Sequence, residues 1–122
     1  MYLYNNKLTS LPAEIEKLEK LEYLNLYNNK LTSLPAEIGK LEKLKSFDLS
    51  DNQLTSIPAE FENLEKLKYL NLYNNELTSL PAEIGKLKKL EELDLRNNPI
   101  SEEDIGKLKE LLPNCKIDSD YE

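Results

Sequence analysis

Leu26-Tyr27-Asn28-Asn29-Lys30-Leu31-Thr32-Ser33-Leu34-Pro35-Ala36-Glu37-Ile38 returns with one substitution as Leu72-Tyr73-Asn74-Asn75-Glu76-Leu77-Thr78-Ser79-Leu80-Pro81-Ala82-Glu83-Ile84. A drifted copy begins between them at Leu49, and another begins at Leu3, so the period is 23 residues. A fixed period in this range marks a repeat array, and it outranks local propensity in deciding architecture. In such arrays the residues free to vary share one long surface.

With Leu21, Leu44, Leu67 and Leu90 as position 1, position 4 is Leu24, Phe47, Leu70 and Leu93. Position 6 is Leu3, Leu26, Leu49, Leu72 and Leu95, and position 11 is Leu8, Leu31, Leu54, Leu77 and Ile100. Position 9 is asparagine throughout: Asn6, Asn29, Asn52, Asn75 and Asn98. Apolar residues alternate from position 3 to position 7, so a short strand turns leucine inward and positions 3, 5 and 7 outward. Strands one period apart run the same way and pair in parallel.

Leucines flank each position-9 asparagine, so the five amides are expected to be buried and bonded to turn backbone as a structural ladder. The second half of each unit spaces Leu34, Ile38, Leu41 and Leu44 as a helix would. Pro35 suits its start, and Ser33 and Glu37 favour it. Gly39 and Gly85 shorten it to an irregular or 3-10 turn. Glu14, Glu37, Glu60 and Glu83 alternate with Lys20, Lys43, Lys66 and Lys89 on a solvated outer face with weak ion pairing.

The pattern L-x-x-L-x-L-x-x-N-x-L resembles the leucine-rich repeat family, and its 23-residue wording is similar to bacterial arrays. The resemblance implies an α/β solenoid, with a curved parallel sheet on the concave face and short helical turns on the convex face. The array covers residues 1–100 as about five full or partial repeats, and 101–122 form a cap with an acidic tail. In the cap Ser101 reads as an N-cap, followed by the stripe Ile105, Leu108, Leu111 and Leu112. Cys115-Lys116-Ile117 reads as a last strand, with Cys115 near position 4 as a small core residue. The first unit begins inside a strand with its edge open, which points to a longer array or to weak homo-association through residues 1–15.

Composition removes several functions. A net charge of -7 disfavours nucleic acid. The absence of histidine removes the usual general base and metal ligand. No phosphate-cradling glycine loop occurs, and Asp48, Asp51 and Asp94 lack metal-ligand spacing, so no enzyme activity, cofactor or metal is expected. One cysteine leaves no disulfide framework, and neither a signal peptide nor a membrane-inserting stretch is read.

Six of the seven tyrosines fall on positions 3, 5 and 7. Tyrosine offers a broad, stiff contact with a hydroxyl, so the expected binding face is Tyr4, Tyr23, Tyr27, Tyr69 and Tyr73 with Asp48, Ser50, Asp94 and Arg96. Ser46, Asp48, Ser50 and Asp51 interrupt the tyrosines with an acidic slot. The expected function is a module holding a protein or peptide partner on this face. The competing readings are passive tyrosines copied by duplication, and a structural or designed scaffold without a dedicated ligand, self-associating through its first unit.

Overall fold

The computed structural model describes residues 1–121, and Glu122, the end of the expected acidic tail, lies outside the described residues. Strands β1 (Tyr23–Asn25), β2 (Ser46–Asp48), β3 (Tyr69–Asn71), β4 (Glu92–Asp94) and β5 (Lys116–Asp118) form one parallel sheet in chain order. Tyr2 adds an isolated parallel bridge to Asn25. The strands are shorter than the alternation predicts, yet the ladder continues past them. Leu26 N–H donates to Asp48 O at 2.8 Å, and Asn28 N–H to Ser50 O at 3.0 Å.

Position 8 explains why the strand stops. Asn5, Asn28, Asp51, Asn74 and Asn97 all have φ between 54° and 60°. This left-handed conformation turns the chain off the sheet, and Asn and Asp tolerate it better than other residues with a Cβ. One residue later the amide ladder forms. Asn52 donates to Leu26 O and Leu49 O at 3.0 Å and accepts from Leu31 N–H at 3.0 Å. Asn29, Asn75 and Asn98 repeat this and are buried. Asn6 departs from the expectation: it is exposed and bonds only Leu3 O and Tyr4 O of its own unit.

The return segments are 3-10 turns at Ala13–Lys17, Ala36–Lys40, Ala59–Asn63 and Ala82–Lys86. Each opens on a proline whose carbonyl accepts the first turn bond, as Pro35 O does from Ile38 N–H at 3.0 Å. No side chain caps these turns, which corrects the role expected of Ser33. Ile38, Leu41 and Leu44 from the turns and Leu24, Leu26 and Leu31 from the strand side fill the layer between. The two phenylalanines share one layer: Phe47 stands for the strand leucine and Phe61 for the turn isoleucine, stacked at 5.9 Å. In the first unit Leu3, Leu8, Leu18 and Leu21 are only partly buried.

The cap helix α1 (Glu102–Leu111) is capped by Ser101, whose hydroxyl oxygen accepts from Asp104 N–H at 3.1 Å. Ile105, Leu108 and Leu112 are buried, but Leu111 is 41% exposed and lies at the rim of the contact over Gly85. Ile117 pairs with Leu93, so the last unit is 24 residues long. Ile117, not Cys115, therefore takes position 4, while Cys115 packs half-buried against the core.

Candidate binding face

Strand alternation leaves one face of the sheet without a covering layer among the described residues. Tyr2, Tyr4, Tyr23, Tyr27, Tyr69 and Tyr73 stand on it, between 36% and 77% exposed. The nearest to self-packing is Tyr2 against Tyr4, edge-on at 6.1 Å.

Position 5 has a task the sequence reading missed. Each inner unit carries Asn or Asp there, and its Oδ1 accepts the backbone N–H of position 7. Asn25 takes Tyr27 N–H at 3.0 Å, Asp48 takes Ser50 N–H at 2.9 Å, Asn71 takes Tyr73 N–H at 3.0 Å, and Asp94 takes Arg96 N–H at 3.1 Å. These N–H groups point away from the neighbouring strand, so a short side-chain acceptor two residues back satisfies them. The signal was present in the recurrence of Asn and Asp at one outward position.

Ser50 corrects another expectation. It is 4% exposed, and its hydroxyl donates to Asp48 Oδ1 at 2.6 Å. So small a residue folds onto the neighbouring carboxylate and becomes floor rather than contact. Beside it a hollow of about 270 Å³ is lined by Ser46, Asp48, Tyr69, Glu92, Asp94 and Asp118 among others, with no basic residue. Arg96 is not free either. Its guanidinium holds both Asp94 oxygens, at 3.0 and 2.7 Å, and lies 5.4 Å from the Tyr73 ring centroid. That hydrogen bonding, and then the Asp94 charge, raise the Arg96 pKa further. At the far edge Asp120 accepts Asn97 N–H with both oxygens at 3.0 Å, where the inner units use a carbonyl.

Ion pairs elsewhere are scattered, Lys45 with Glu22 at 2.8 Å just before β2 and β1, and Lys86 with Glu62 at 3.4 Å between two convex turns. None of the repeating Glu14, Glu37, Glu60 and Glu83 or Lys20, Lys43, Lys66 and Lys89 closes an ion pair among the described residues. Nor do three or more His, Cys, Asp or Glu residues converge there as metal ligands would. No helix among them is long and apolar enough to cross a membrane.

A family model described as a leucine-rich repeat region matches residues 3–112. The chain belongs to the leucine-rich repeat family. Among solved structures, a leucine-rich repeat protein of Leptospira interrogans is 38% identical with a TM-score of 0.72. The alignment covers 97% of this chain and 36% of that one, so the chain spans about a third of that protein's length. No curated protein matches. The bacterial neighbour agrees with the bacterial wording of the 23-residue leucine-rich repeat. Leucine-rich repeat proteins are in general protein-interaction modules and typically not enzymes. With 207 matching chains of solved structure, the fold by itself names no ligand.

Proposed function

We propose that this leucine-rich repeat array binds a protein or peptide on its concave face, with Tyr4, Tyr23, Tyr27, Tyr69 and Tyr73 as the main contacts. The observation that carries this is the exposure of the tyrosines on a sheet face that no other element among the described residues covers. Tyrosine on a rigid sheet loses little conformational freedom on contact and gives both apolar area and a hydrogen bond. Asn25 and Asn71 hold the backbone N–H of Tyr27 and Tyr73, Asp48 and Asp94 do the same for Ser50 and Arg96 while offering charge to a partner, and Arg96 stiffens the rim by its clasp on Asp94 and Tyr73.

The test is affinity capture from a lysate of the source cells with wild type and the Tyr27→Ala/Tyr73→Ala variant. Both rings are exposed, so the variant is expected to keep its melting temperature. Loss of a specifically captured protein supports the reading; equal recovery by both overturns it.

A further inference from the structure

We propose that the concave face holds a seat for an arginine of its protein partner, between the Tyr27 ring and the Asp48 carboxylate, with Asp51 beside it. This rests on the concave face being the protein-binding surface, and it narrows the partner to a chain that presents an exposed arginine.

Residues two units apart are equivalent, and Tyr73, Asp94 and Arg96 correspond to Tyr27, Asp48 and Ser50. The backbone around the two sets matches. Asn71 pairs with Asp94 as Asn25 pairs with Asp48. Asn74 N–H donates to Arg96 O at 3.0 Å, as Asn28 N–H does to Ser50 O at 3.0 Å. In the C-terminal copy the chain supplies its own guanidinium, forked onto Asp94 and set against Tyr73. That combination of charge-assisted fork and aromatic face is what arginine does better than lysine. In the N-terminal copy Ser50 is too short to reach the ring. It takes Asp48 Oδ1 only, and among the described residues nothing donates to Asp48 Oδ2.

The outer amide row is interrupted at the same place. Asn97 donates to Asn74 Oδ1 at 2.8 Å, Asn74 donates to Asp51, and Asn28 donates to Asn5 Oδ1 at 2.8 Å. The Asp51 carboxylate has no proton to pass on, so nothing among the described residues donates to Asn28 Oδ1. A guanidinium brings five N–H donors to this group of acceptors. Charge agrees: the neighbouring hollow is lined by four carboxylates, of which only Asp94 has a base, Arg96, on it, whereas the hollow between the first two convex turns mixes three glutamates with four lysines. Lys116, a base on the sheet, lies opposite Glu92 at the other end.

Asp48→Asn/Asp51→Asn tests the seat without disturbing the fold, since Asn fills both positions in other units. The probe is a fluorescent glycine peptide bearing two arginines, followed by anisotropy, with a lysine version as control. Wild type is expected to bind the arginine peptide more tightly than the lysine one. The double variant and Ser50→Arg, which fills the seat from within, each lose about tenfold, and the convex control Glu42→Gln/Glu65→Gln changes by less than about twofold. Absence of binding to wild type, equal binding by the double variant, or equal loss in the convex control overturns the seat. With the captured protein, loss on Tyr27→Ala/Tyr73→Ala but not on Asp48→Asn/Asp51→Asn sinks the seat alone. Indifference to both also sinks the concave reading.

Discussion

Single residues divide into those that hold the backbone and those left for a partner. Asn52 satisfies backbone groups of two units from a buried site. Asn52→Ala is expected to cost about 1–3 kcal/mol in urea unfolding, and Asn6→Ala less than about 0.5 kcal/mol because its groups reach water. Similar losses for the two would refute the ladder as a buried device. Cys115 gives a pH signature. Its thiol pKa is pushed up to about 11, by burial first and then by the Glu92 and Asp118 charges. The folded state therefore keeps a proton that the unfolded chain releases at lower pH. Its contribution is complete below the unfolded pKa and is lost as pH rises toward the folded value. Between about pH 9 and 11, wild type should lose more stability than Cys115→Ala; parallel profiles would contradict this. Position 9 was legible because leucines flank an invariant amide. Position 5 was not, since an outward Asn or Asp looks like ordinary polar surface until its partner N–H is located.

At the scale of elements, the convex turns pack so closely that glycine matters at one of them. A Cβ on Gly39 would stand 2.6 Å from Glu60 O of the next turn, whereas one on Gly106 in α1 would meet nothing within 4 Å. Gly39→Ala should destabilise by about 1–3 kcal/mol through overpacking against backbone. Gly106→Ala should stabilise by about 0.5–1 kcal/mol through helix propensity. Thermal melts of the two variants shifting the same way would contradict the packing. The short turn, the Ser101 cap and the core stripe of α1 followed from spacing and residue type. The extra residue in the last unit did not: Cys115 and Ile117 both look apolar and alternate, and only pairing with β4 shows which one continues the leucine column.

Across the whole molecule, the period made the solenoid legible, because each unit buries its leucines only by stacking on the next. The tyrosine side of the sheet was legible from strand alternation. What each acid does there was not, because Asp48 and Asp94 bond to groups two residues away, and Arg96 folds back onto Asp94 while lying over the Tyr73 ring of the preceding unit. The concave hollow is lined by Asp48, Glu92, Asp94 and Asp118, of which Asp94 is held by Arg96. The most direct measurement is radical footprinting of the tyrosines with and without the captured protein. Protection of Tyr23, Tyr27, Tyr69 and Tyr73, with Tyr121 unchanged, is the result expected. Unchanged reactivity of those four rings with protection on the 3-10 turns would contradict the account.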